Sequence, residues 1–139
     1  MRIVLDTNVL LISIPKISKY RPIFDCLIHG KFDLFITNEI LSEYNEIIEE
    51  KTNHEIAVNI SELLLTLPNV HRVDPTYNWN LIYSDPDDNK YVDCAIFISA
   101  DFIVTNDKYF DLLKHVDFPK VSTISSVDFL KRVERILKK

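Results

Sequence analysis

Met1-Arg2-Ile3-Val4-Leu5-Asp6-Thr7-Asn8 opens the chain with an unbroken apolar run, residues 3–5, that ends abruptly in a carboxylate. Such a run suits a strand buried on both faces in the middle of a parallel sheet. In open α/β sheets ligands bind in the crevice beyond the carboxyl ends of the strands, so Asp6 stands where a site would be. Working outward, residues 32–37, 70–73, 102–105 and 121–124 read as further strands. Between them the spacing predicts helices: a short turn over 9–14, a helix from Pro22 to about His29 with Gly30 as its cap, and a helix from Asn38 onward. A capping box at Thr52-Asn53-His54-Glu55 starts the next helix, which Pro68 closes. Further helices are expected over 89–100, over 108–115 and after Ser125. Strands alternating with helices mean a three-layer α/β/α sandwich with a mainly parallel sheet of about five strands and right-handed crossovers.

At 139 residues the chain fits one domain, 1–139, large enough to bury a sizeable core. Cys26 and Cys94 lie far apart in apolar surroundings, which suits a reducing, cytoplasmic setting better than a disulfide framework. The start of the chain has no signal-peptide pattern, and Pro15 ends the early apolar run 9–14, so no membrane segment is expected. The formal net charge of −5 argues against broad electrostatic capture of nucleic acid but not against a metal site, where clustered acids carry cations. With Gly30 as the one glycine there is neither GxGxxG nor GxxxxGK[ST], which removes Rossmann dinucleotide binding and P-loop chemistry, so no nucleotide cofactor is expected.

Four acids share a signature. Asp6 and Asp107 end buried strands, Glu43 sits on the flank of the apolar stripe Ile40, Tyr44, Ile47, Ile48, and Asp93 lies inside a helix that is apolar nearly all round. In a doubly wound sheet all four can face one crevice. Crowded carboxylates repel by several kcal/mol in a low dielectric, roughly, and persist when cations neutralise them. Oxygen ligands without His or Cys select Mg²⁺ or Mn²⁺, which acidify water and clamp a phosphodiester. Each acid also has a plain structural reading: Asp6 and Asp107 as helix caps, Glu43 as a flank residue, Asp93 as a buried acid paired with a base. Asp87 and Asp88 suit helix caps better than ligands, at the end of a turn-forming run over 84–88.

The motifs Leu5-Asp6-Thr7-Asn8, Ile40-Leu41-Ser42-Glu43-Tyr44, Asp85-Pro86-Asp87-Asp88-Asn89-Lys90-Tyr91-Val92-Asp93-Cys94-Ala95 and Ile103-Val104-Thr105-Asn106-Asp107 occur in this order. On them the chain resembles the PIN-domain ribonuclease family, in particular small single-domain bacterial and archaeal proteins assigned as toxins of toxin–antitoxin pairs. The resemblance implies a metal-dependent endoribonuclease with Asp6, Glu43, Asp93 and Asp107 as the acidic site. It also implies Asn8 and Thr105 as polar groups behind that site, Asp88 as a candidate additional acid, frequent homodimerisation and inhibition by an antitoxin. Lys90, Lys108, Lys114 and Arg72 are the candidate RNA-phosphate contacts. Two other readings compete: a PIN-fold binding module working through a protein partner, and a haloacid-dehalogenase-like phosphatase or receiver domain. The phosphatase pattern wants a second acid where this chain has Asn8.

Overall fold

The structure, a computed structural model, describes residues 1–83 and 85–138. Of the sequence expectations, the first residue of the 84–88 turn run, Ser84, lies outside the described residues, as does Lys139. The elements run β1 (Arg2–Leu5), α1 (Thr7–Ser13), α2 (Arg21–Ile28), β2 (Asp33–Ile36), α3 (Asn38–Lys51), α4 (His54–Thr66) and β3 (Val70–Arg72). There follow a short 3₁₀ turn (Pro86–Asp88), α5 (Asn89–Ile98), β4 (Phe102–Val104), a 3₁₀ helix (Lys108–His115), β5 (Thr123–Ile124) and α6 (Ser126–Leu137).

The five strands form one parallel sheet in the order β3-β2-β1-β4-β5. The opening strand is central, as its sequence requires: Ile3, Val4 and Leu5 are fully buried, with β2 and β4 on either side. The chain winds outward from β1 to β2 and β3, then returns across the sheet through α5 to β4. Direction therefore reverses between β1 and β4, and a crevice opens at their carboxyl ends. Helix α5 packs on β1, β2 and β4, while α2 packs on α6.

Three local expectations are refined. The turn over 108–115 is a 3₁₀ helix rather than an α-helix, and β5 is only two residues long. The cap of α4 is Asn53, whose side chain accepts the Ile56 N–H at 2.9 Å, one residue later than a capping box on Thr52. Gly30 closes α2 as expected: at φ 70° it lets Lys31 N–H reach back to the Cys26 carbonyl at 2.9 Å. Among the described residues no helix is long and apolar enough to cross a membrane.

Candidate active site

Asp6 leaves β1 at the point where the winding reverses. Its backbone N–H continues the ladder to the Val104 carbonyl at 3.0 Å, which fixes it beside the end of β4. Its carboxylate then does two jobs. Oδ1 accepts the Asn8 N–H at 3.3 Å and so caps α1, while Oδ2 accepts the Thr105 hydroxyl at 2.7 Å. Thr105 Oγ1 also accepts the Asp107 N–H at 3.1 Å, so this buried threonine fixes the two strand-end acids relative to each other. Asp107 in turn caps the 3₁₀ helix through Oδ1 and the Tyr109 N–H at 2.9 Å. The capping and site readings of these acids are thus compatible, because a carboxylate has two oxygens. Asp6, Asn8, Val9, Asn106 and Asp107 line a cavity of about 240 Å³. Burial raises the Asp6 carboxyl above the usual range; the Thr105 and Asn8 hydrogen bonds oppose this, and the charges of Glu43 and Asp107 add to it.

Asp88 faces the same acids. It ends the 3₁₀ turn that Asp85, not Asp87 or Asp88, caps by accepting the Asp87 N–H at 3.3 Å. Asp88 stands at the N-cap position of α5 but its side chain makes no capping hydrogen bond, and its buried Oδ2 has no hydrogen-bond partner among the described residues. Burial, then the charges of Asp85, Asp107 and Asp6, push its carboxyl up to about 7, and a protonated Asp88 can donate to Asp107. The expectation that Asp87 and Asp88 serve as helix caps is therefore corrected, since neither side chain caps.

Glu43 arrives from α3, with Ile40, Tyr44 and Ile48 of the same helix buried in the core. Its Oε1 accepts Lys90 Nζ at 2.9 Å, and its Oε2 accepts the hydroxyls of Thr7 and Tyr91. Burial alone would raise its carboxyl; the hydrogen bonds from Thr7, Tyr91 and Lys90, with the Lys90 charge, outweigh this and hold it below the usual range. Thr7 and Tyr91 were not singled out from the sequence. Nothing local marks them, because their partner lies 36 and 48 residues away. Tyr44, read from the sequence only as a member of the apolar stripe, donates its hydroxyl to the Leu5 carbonyl at 2.5 Å and so fastens α3 to the end of β1.

Asp93 goes elsewhere. It is buried, but its Oδ1 accepts the Trp79 N–H at 3.0 Å. Four residues earlier on the same face of α5, Asn89 pairs with Ile82, accepting its N–H at 2.8 Å and donating to its carbonyl at 2.9 Å. Together they clasp the irregular segment after β3. Burial raises the Asp93 carboxyl, the Trp79 N–H opposes this, and the charge that faces it belongs to Glu39. It opens on a separate cavity of about 230 Å³, shared with Glu39, Asp74 and Lys90. The structure brings Asp6, Glu43, Asp88 and Asp107 together and leaves Asp93 outside, which corrects the expectation of one crevice for Asp6, Glu43, Asp93 and Asp107.

The donor set around Asp6, Asp88 and Asp107 suits a hard divalent cation: three carboxylates, with the partnerless Asp88 Oδ2 among them. As the side chains stand, no three His, Cys, Asp or Glu among the described residues are spaced to hold an ion. Lys108 and Lys114 line the adjoining groove of about 370 Å³ that begins at Asp107. Lys90 is committed to Glu43 and to the Asp87 carbonyl, at 2.9 Å each.

No curated protein matches the chain in sequence. Among solved structures it is similar to VapBC2 from Rickettsia felis, crystallised bound to a DNA fragment from the promoter. The identity is 16% and the TM-score 0.60, over 90% of this chain and 98% of that one; this is a likeness of fold. The family model for the PIN domain matches residues 2–109, which include β1, the Glu43 helix, α5 and Asp107. With four strand-end and helix-borne acids at the reversal of a parallel sheet and that match along most of its length, this chain belongs to the PIN domain family.

Proposed function

We propose that this protein is a metal-dependent endoribonuclease that hydrolyses RNA phosphodiester bonds, and that Asp6, Asp88 and Asp107 hold its Mg²⁺ or Mn²⁺. The observation that carries the reading is the half-buried Asp88, whose Oδ2 is buried with no hydrogen-bond partner among the described residues and whose carboxyl Asp107 and Asp6 help to push up to about 7. Acids crowded in this way take up either a proton or a cation, and a divalent cation that binds them displaces the proton. When bound, such an ion supplies a Lewis acid that acidifies water and neutralises phosphodiester oxygens. The chain's own residues do the rest. Thr105 holds Asp6 and Asp107 in register, Asn8 lines the same cavity, and Tyr44 pins α3 to β1. Lys108 and Lys114 border the groove beside Asp107 and are positioned to take flanking phosphates. Membership of the PIN family supports nuclease chemistry. In this reading the protein is also the toxin of a toxin–antitoxin pair, a cytoplasmic homodimer inhibited by its antitoxin; the likeness to VapBC2 is one of fold.

The test is cleavage of an end-labelled single-stranded RNA by wild type, Asp6→Asn and Asp93→Asn, with Mg²⁺, with Mn²⁺ and with EDTA, and with DNA of the same sequence in parallel. The expected result is cation-dependent cutting of RNA by wild type and Asp93→Asn, lost in Asp6→Asn. Cutting that survives EDTA and Asp6→Asn would belong to a contaminant, and cutting of DNA alone would overturn the choice of substrate.

A further inference from the structure

Lys90 is an unusual neighbour for a centre meant to gather cations. Its side chain is only 12% exposed, and its ammonium donates to Glu43 Oε1 and to the Asp87 carbonyl at 2.9 Å each. Glu43 Oε2 already accepts the Thr7 and Tyr91 hydroxyls, which uses both of its lone pairs. The carboxylate is thus held by three donors on two oxygens, and one donor is itself a full positive charge. To ligate a metal, Glu43 would have to give up that charge-assisted bond, and the ammonium left behind would repel the incoming ion in a half-buried setting. Asp6 and Asp107 each take backbone or hydroxyl hydrogen bonds, but among the described residues no ammonium contacts either and Asp88 Oδ2 has no partner.

We infer that Lys90 is a built-in cation that reserves Glu43, so that the centre takes one divalent ion on Asp6, Asp88 and Asp107 while Glu43 stays outside its coordination shell. This rests on the reading of that centre as a divalent-cation site. Glu43 and Lys90 are positioning residues in this arrangement: Glu43 orients Thr7 and Tyr91 on α1 and α5, and Lys90 limits the number of ions. The pair is intrinsic to the chain, so the limit holds before any substrate or partner arrives.

Counting bound Mn²⁺ by the loss of the free-ion electron paramagnetic resonance signal tests this on the full chain. Wild type is expected to bind one ion. Lys90→Met frees Glu43 and is expected to bind two; Lys90→Arg keeps the charge and is expected to bind one. Glu43→Gln, which keeps one carbonyl oxygen for the Thr7 and Tyr91 hydroxyls and removes the charge, is expected to keep the single ion with affinity within about threefold, whereas Asp88→Asn loses tenfold or more, about the cost of removing a metal-supporting group. Two ions in wild type, one in Lys90→Met, or a tenfold loss in Glu43→Gln would overturn the assignment of Lys90 and leave the metal centre standing. No Mn²⁺ bound by wild type would remove both. Should Lys90→Met fail to fold, judged by its circular dichroism, the Glu43→Gln affinity decides alone.

Discussion

Asp88 and Asp93 are five residues apart at the start and middle of one helical segment, and burial is the first cause that raises both carboxyls. One faces Asp6 and Asp107 across the reversal of the sheet; the other faces the irregular segment after β3 and holds its backbone. The difference lies in what their oxygens are bonded to. Asp93 accepts a backbone N–H, and with Asn89 it forms a clasp on Trp79 and Ile82. Asp88 keeps a buried oxygen with nothing among the described residues to bond it. A buried acid whose acceptor sites are spent is architecture; one with sites to spare beside other acids is a candidate ligand.

The largest expected effect tests the Asp88 side of this comparison at its anchor. Asp6→Asn and Asp107→Asn should each lower the rate of RNA cleavage by on the order of 10²–10³, because in the proposed reading both carboxylates hold the cation. Normal circular dichroism with full activity in either variant would move the centre away from the strand ends.

Next, Asp88→Asn and Asp93→Asn should separate. The first is expected to lose about 10²-fold in cleavage, since an amide oxygen cannot replace an anionic ligand. The second should stay within about threefold of wild type, because an Asn side chain can still accept the Trp79 N–H. Equal losses would erase the distinction between the two acids.

Stability should divide them in the opposite sense. Asp93→Ala leaves the Trp79 N–H without its acceptor, at about 1–3 kcal/mol, so Tm should fall by several degrees in a calorimetric scan. Asp88→Asn in EDTA relieves the repulsion from Asp85, Asp107 and Asp6 and should raise Tm slightly. A fall in Tm for Asp88→Asn would mean that its carboxylate has a structural partner after all.

The smallest effect sharpens the boundary of the site. Tyr91→Phe removes one donor to Glu43 and leaves Thr7 and Lys90, so cleavage should drop by no more than about fivefold, at the scale of a single hydrogen bond of about 1 kcal/mol. A loss as large as that of Asp6→Asn would make the tyrosine hydroxyl part of the chemistry.

Much of this was legible without coordinates. The apolar run 3–5 ending in Asp6 named the central strand, and residues 102–105 ending before Asp107 named its neighbour, because a parallel strand buried on both faces has little freedom in composition. Glu43 was legible from helical phase, since α3 has one apolar stripe and a polar back. Asp88 and Asp93 were not separable in this way. Helix α5 is buried nearly all round, with Tyr91, Val92, Asp93, Cys94 and Ala95 all inside, so periodicity has no polar face from which to take a bearing.

Sequence by itself therefore determined the sheet, its central strand, the strand-end acids and the inward placement of Glu43, all of which follow from local hydrophobic pattern. The tertiary structure alone decided which side of α5 meets the crevice. One side lies against the Glu43 helix and the other beneath the segment after β3, so only the way α5 docks between them distinguishes an acid that holds backbone from one with an oxygen left to hold a cation.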